Sequence, residues 1–126
     1  MNYLFDTNSC IYLFVRQYPE LERRVAETEL GQIVISSIVY AELFWGCFSG
    51  MGPKPEQLAL LTRQMPVLPF DEKAAETYAR FPSRSGSYDR LIAAHALSLD
   101  LTLVTNNGTD FIDVPGLKIE NWTVAP

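Results

Sequence analysis

The chain is poor in sulfur, in imidazole and in positive charge. Among its 126 residues are two cysteines, Cys10 and Cys47, and one histidine, His95. Two thiols so far apart form neither a disulfide framework nor the close spacing of a zinc site. Both lie among apolar neighbours and read as buried free thiols in a reducing cytoplasm. No apolar run approaches the roughly eighteen residues that cross a bilayer, so no membrane partner is expected. Residues 1–6 lack a basic stretch and place an acid where the apolar part of a signal peptide would continue, so secretion is not expected either. Ten basic residues stand against fifteen acidic ones, a formal charge of -5. That balance excludes capture of nucleic acid by bulk charge, because such affinity comes from neutralising phosphates. It leaves room for a nuclease whose clustered acids bind cations and so reverse the local sign, or for a basic partner protein. A nucleotide-binding glycine loop is also missing, since Gly50-Met51-Gly52-Pro53 carries neither lysine nor hydroxyl.

What the chain does have is apolar residues in short, punctuated runs. With 48% hydrophobic and 20% charged residues, a chain of this length can bury a core without staples, and residues 1–126 read as one domain with no internal linker. Strand signals at residues 2–5, 32–35, 67–68, 101–105 and 117–120 are separated mainly by helical stretches at 10–16, 20–30, 38–48, 56–64, 71–80 and 88–99. Leu21, Val25 and Leu30 are expected to face inward from the second of these. Pro19 and Gly31 read as helix breaks, Ser36-Ser37 and Asp71 as caps, 81–87 and 106–110 as loops. The order predicts an α/β fold around a central, mainly parallel sheet with covered faces.

Ligands of such sheets bind beyond the carboxyl ends of the strands, and acids recur there. Asp6 follows the first strand directly. Glu42 lies one turn past the second, flanked by Ile38, Val39, Ala41, Leu43, Phe44 and Trp45, where a carboxylate is costly unless paired or bound to a cation. Asp89 opens a helix, and Asn106, Asn107 and Asp110 follow the fourth strand. Each acid alone could cap a helix or sit solvated in a turn. Drawn together from several segments, they would repel unless cations neutralised them. Oxygen ligands without a nearby histidine suit magnesium, with manganese as a substitute, better than zinc. Two such ions could activate water and stabilise the leaving oxygen of a phosphodiester.

Several stretches together resemble a known family. They are Leu4-Phe5-Asp6-Thr7-Asn8 with Cys10-Ile11, and Ile35-Ser36-Ser37-Ile38 leading to Ala41-Glu42-Leu43 and Gly46. Next come Leu68-Pro69-Phe70-Asp71 and Tyr88-Asp89-Arg90-Leu91-Ile92-Ala93-Ala94-His95-Ala96. The last are Leu103-Val104-Thr105-Asn106-Asn107, Asp110-Phe111, Val114-Pro115-Gly116-Leu117 and Glu120-Asn121-Trp122. In this order, over nearly the whole chain, they resemble the PIN-domain ribonucleases, and among them the VapC-like toxins of bacterial type II toxin-antitoxin pairs. The resemblance implies a PIN-like three-layer α/β/α domain. It makes Asp6, Glu42 and Asp89 the core catalytic and metal-binding acids, with the fourth position on Asn107. Asp110 would add negative charge from the same loop, and Thr7, Asn8 and Thr105 would support the carboxylates and water. It further implies a Mg2+-dependent endoribonuclease, cytoplasmic, cutting RNA (transfer or ribosomal) by metal-activated water to leave a 5′-phosphate and a 3′-hydroxyl. A cognate antitoxin would neutralise it, and the chain would form a homodimer, joined by antitoxin into an assembly that binds operator DNA through the antitoxin. Two other readings stand beside this one: a catalytically weak co-regulator that binds the antitoxin, and a metal-dependent phosphodiesterase acting on another nucleic acid.

The segment before Tyr88 departs from the family, whose relatives carry a longer helix and a basic, glycine-rich loop where this chain has Arg80-Phe81-Pro82-Ser83-Arg84-Ser85-Gly86-Ser87. Arg80, Arg84 and Arg90 are candidates to touch phosphates, or are solvated. His95 reads as a hydrogen-bonded structural residue, Trp122 as packing on the sheet edge. Trp45 and Phe48, with Leu43 and Phe44, read as core shared with an interface; Tyr12, Phe14 and Tyr18 could join either.

Overall fold

The computed structural model describes residues 1–82 and 87–125. Strand β1 (Tyr3–Phe5) runs through Asp6 into α1 (Thr7–Val15) and α2 (Pro19–Glu27). After β2 (Ile33–Ser36) come α3 (Ser37–Ser49) and α4 (Pro55–Gln64), and after β3 (Val67–Leu68) come α5 (Glu72–Ala79) and α6 (Tyr88–Ser98). The chain closes with β4 (Thr102–Val104), a 3₁₀ turn at Gly108–Phe111, and β5 (Ile119–Glu120). The strands form one sheet in the order β3-β2-β1-β4-β5, and every pairing is parallel. Leu4 lies opposite Val34 on one side and Leu103 on the other.

Alternate residues of a strand point to opposite faces, so a strand buried along its whole length must be covered on both. All four residues of β2 are buried, as are Leu4, Phe5, Leu103 and Val104. The helices supply that cover, which gives the three layers expected. Helix α6 approaches closely because Ala93, Ala94 and Ala96 are small and wholly buried. Trp122 packs back on the sheet edge as expected, edge-on to Tyr3 (4.8 Å) and Phe5 (5.3 Å), with the Arg24 guanidinium over its ring.

Caps move several helix boundaries from where periodicity puts them. Helix α1 begins at Thr7, three residues early, because the Asp6 carboxylate accepts the Ser9 N–H and so starts the helix within the polar segment. Pro19 and Pro55 open helices, since a proline at the first helical position forfeits only an unused donor. Helix α2 stops at Glu27, where the Thr28 hydroxyl turns back to the Arg24 carbonyl, so Leu30 is 77% exposed instead of facing the core. Cys10 is buried as expected and Cys47 only half-buried, and both thiols are free. The loop expected at 81–87 falls mostly on residues 83–86, outside the described residues, and Arg84 with it.

The break after α3 is a close backbone crossing. Gly52 donates its N–H to the Gly46 carbonyl (3.0 Å), and a Cβ on Gly52 would stand 2.8 Å from the Gly46 Cα. Backbone cannot yield as a side chain can, so Gly52→Ala should cost about 1–3 kcal/mol, read as a lower urea midpoint with an unchanged slope; an unchanged midpoint would refute the crossing.

Candidate metal centre

The chain leaves β1 toward β2 and β3 on one side, then returns to β4 and β5 on the other. Such a reversal opens a crevice beyond the strand ends, and Asp6 stands there. The residue is 7% exposed. One carboxylate oxygen accepts the Ser9 N–H at 2.8 Å, its own N–H donates to the Val104 carbonyl, and the Ser9 hydroxyl donates to that same carbonyl at 3.1 Å. Asp6 thus caps α1 and is fixed to β4 as well. One turn along α1, burial and, after it, the negative charge of Asp6 push the Cys10 thiol well above its ordinary range, so that thiol stays neutral.

Glu42 comes from α3. It is half-buried, and the Thr7 hydroxyl donates to its Oε1 at 2.5 Å. Burial raises its pKa; the Thr7 hydrogen bond opposes the rise, and repulsion from Asp89 and Asp6 adds to it. Asp89 comes from the first turn of α6, where the Ser87 hydroxyl accepts its N–H at 3.0 Å. Its pKa is raised by burial, then by the charges of Asp6 and Asp110. Three elements therefore bring Asp6, Glu42 and Asp89 into one field, and the exposed Asp110 of the 3₁₀ turn shares it. Asn107 is exposed at the start of that turn, its N–H donated to the hydroxyl of buried Thr105 at 3.0 Å.

Among the described residues, no lysine or arginine forms an ion pair with Asp6, Glu42, Asp89 or Asp110. The donors are all oxygens, carboxylates with an amide and hydroxyls behind them, a set that suits a hard divalent cation. Among the same residues no three acids, thiols or imidazoles already stand close enough to hold an ion, so closing on one means drawing these carboxylates together. Like charges without a cation oppose that.

Thr7, Asn8, Glu42, Tyr88 and Asp89 line a cleft of about 840 Å³ together with apolar Ile11, Ile38, Trp45, Met51 and Pro53. Of the apolar group on α3, Leu43 is core, Phe44 is partly exposed, and Trp45 and Phe48 are 69% and 81% exposed. His95 is structural as read: buried, its Nδ1 2.8 Å from the Ser36 Oγ that also accepts the Ile38 N–H. Burial lowers its pKa, against the pull of Asp71, so it packs as a neutral ring. Arg90 corrects the sequence reading. It is neither solvated nor open to a phosphate but 6% exposed, donating to the Asp110 carbonyl and to Asp113. A charged residue directly after Asp89, amid a helix otherwise apolar, was the available signal.

A carboxylate with a raised pKa weakens the fold once it ionises. Stability is full below the ordinary glutamate pKa and is lost as pH rises through the raised one. Glu42→Gln should therefore melt higher than the parent at pH 8 in EDTA, by about 2 °C since water screens half-exposed groups. The gap should close near pH 4, where both side chains are neutral. A lower melting point at pH 8 would show that Glu42 is not under repulsion.

Residues 3–117 match the PIN domain. The chain is 33% identical to the tRNA(fMet)-specific endonuclease VapC of Salmonella typhimurium, over 97% of this chain and 98% of that one. Among solved structures it is similar to the VapBC-1 complex of nontypeable Haemophilus influenzae (TM-score 0.83, 32% identity, 98% of this chain and 100% of that one). It is also similar to VapBC2 of Rickettsia felis bound to a DNA fragment from its promoter (TM-score 0.80, 30% identity, 97% and 99%). With acids at the strand ends, an all-parallel five-stranded sheet and likeness along its whole length, the chain belongs to the PIN-domain family, among the VapC ribonucleases.

Proposed function

We propose that residues 1–126 form a single nuclease domain, a Mg2+-dependent endoribonuclease acting as the toxin of a type II toxin-antitoxin pair in the cytoplasm. The observation that carries the reading is that Asp6, at the end of β1, Glu42, on α3, and Asp89, on α6, lie within one another's electrostatic reach with no basic ion-pair partner among the described residues. Asp6, Glu42, Asp89 and Asn107, joined by Asp110, would hold divalent cations, Mg2+ with Mn2+ as a substitute. Such cations supply the charge that lets a phosphodiester approach and the Lewis acidity that turns water into a nucleophile and stabilises the departing 3′ oxygen.

The chain's own residues do the rest. Thr7 occupies Oε1 of Glu42, which leaves Oε2 to take the proton of the attacking water, and the raised pKa makes this carboxylate a stronger base than an ordinary glutamate. The Ser9 N–H holds the Asp6 carboxylate, and the Ser87 hydroxyl accepts the Asp89 N–H and so fixes the backbone from which that carboxylate projects. Thr105 holds Asn107 at the loop's start, and Asn8 lines the cleft beside Glu42. Cleavage on this scheme leaves a 5′-phosphate and a 3′-hydroxyl.

The likeness to VapBC complexes supports a cognate antitoxin as partner, with operator DNA reached through the antitoxin. The exposed apolar surface at Trp45 and Phe48 gives a homodimer or the antitoxin something to cover. Transfer RNA is the first substrate to test, given the activity named for the Salmonella typhimurium relative.

The test is incubation of antitoxin-free protein with total cellular RNA in Mg2+ or Mn2+, beside an EDTA control. Discrete fragments should appear, vanish in EDTA, and fall at least about a hundredfold in Asp6→Asn and Asp89→Asn, because even outer partners of metal ligands are typically worth 10–100-fold. Intact RNA from folded, metal-loaded protein would overturn the enzyme reading and favour the antitoxin-bound co-regulator.

A further inference from the structure

Arg90 sits one residue past Asp89 and is as buried as the core around it, 6% exposed. Its guanidinium reaches out of α6 to the segment after β4. Nη1 donates to the Asp110 backbone carbonyl at 3.1 Å, and Nη2 donates to the Asp113 carboxylate at 2.9 Å. The Phe81 ring lies against the same group, 5.3 Å from centroid to guanidinium carbon. Nε has no hydrogen-bond partner among the described residues. Burying a cation with one donor unmatched costs stability, so this arrangement is poorly explained as a device for holding the fold together.

The choice of acceptors is informative. Asp110 is bound through its carbonyl, and among the described residues its carboxylate takes part in no ion pair. Asp113 supplies the counter-charge, so the cation of Arg90 is satisfied away from the acids. We infer that Arg90 and Asp113 form a clamp that positions the loop after β4, presenting the Asp110 carboxylate, and Asn107 at the loop's start, to a cation held by Asp89 and its neighbours. Arg90 on this view is a positioning residue, and its effect on the cation passes through Asp110. The inference rests on the metal-dependent reading above and adds to it a division of labour: Asp110 serves the cation, and Asp113 serves the arginine.

Mn2+ alone is the probe, titrated into the full chain without RNA and followed by the loss of the free aqua-ion's electron paramagnetic resonance signal, with melting curves for every variant. Arg90→Gln should weaken Mn2+ binding about tenfold, the usual scale for partners that orient metal ligands. Asp110→Ala should do the same. The double variant should be no more than about twofold weaker than Asp110→Ala alone, because a residue acting only through Asp110 has nothing left to position. A merely structural role would not produce that coupling. Asp113→Asn, at a carboxylate partly open to solvent, should weaken binding in the same direction and be silent in the Asp110→Ala background. It carries the test if Arg90→Gln fails to fold. Parent-like Mn2+ affinity in Arg90→Gln and Asp113→Asn, or losses that add to that of Asp110→Ala, would overturn the clamp while leaving the metal reading intact. A parent that binds no Mn2+ would overturn both.

Discussion

Repulsion among carboxylates at the ends of parallel strands is the constraint on which the rest depends. Burial already raises the cost of ionising Glu42 and Asp89, the charge of Asp6 adds to it at both, and that of Asp89 adds to it at Glu42; the chain brings no basic side chain to these acids among the described residues. The fold fixes the acid-bearing segments instead with hydroxyls and backbone donors. Thr7 donates to Glu42, the Ser87 hydroxyl accepts the N–H of Asp89, Thr105 accepts the N–H of Asn107, and Ser9 ties the start of α1 to the end of β4. Each contact positions a segment without neutralising its charge. The field therefore remains available for a cation, and the order of elements around β1 decides where it stands.

The same field shapes what can approach. A chain of net charge -5 with its acids gathered in a crevice repels a phosphate backbone. Cations at the site would then govern substrate binding as much as the chemical step, because their charge reverses the local sign. Ile11, Trp45 and Met51 line the same cleft as Glu42 and Asp89 without sharing their repulsion. One cleft thus carries two kinds of ligand chemistry: oxygen groups that need counter-charge, and apolar surface that gains from losing water.

Much of this was legible in the sequence, and what was not has a physical reason. Strand and helix order followed from short β-branched runs alternating with longer apolar patterns, and all five strands fall where those runs do. Asp6, Glu42 and Asp89 could be singled out because each sits at a strand end or inside an apolar helix. Boundaries were less legible: Thr7-Asn8-Ser9 looks like a turn until the Asp6 carboxylate is seen to cap it, and Leu30 looks like core until Thr28 ends the helix first. Arg90 was misread because composition cannot say which way a first-turn side chain points. The reach of Asp110 to Asp89 depended on a 3₁₀ turn that the polar run 106–110 does not announce.

The direction of Arg90 bears on why an arginine can stand beside Asp89 at all. A guanidinium at that position has acid on two sides, and pairing with Asp89 would neutralise the cluster and fill the place of a cation. Charge-assisted bonds are strong enough to choose between such alternatives. Asp113 offers the competing partner, and the Asp110 carbonyl a second acceptor in the same direction, while Phe81 closes over the group. Together they turn the cation away from Asp89. The buried pair then acts as an orienting element, and its contribution lies in keeping the positive charge of Arg90 from occupying the site it helps to assemble.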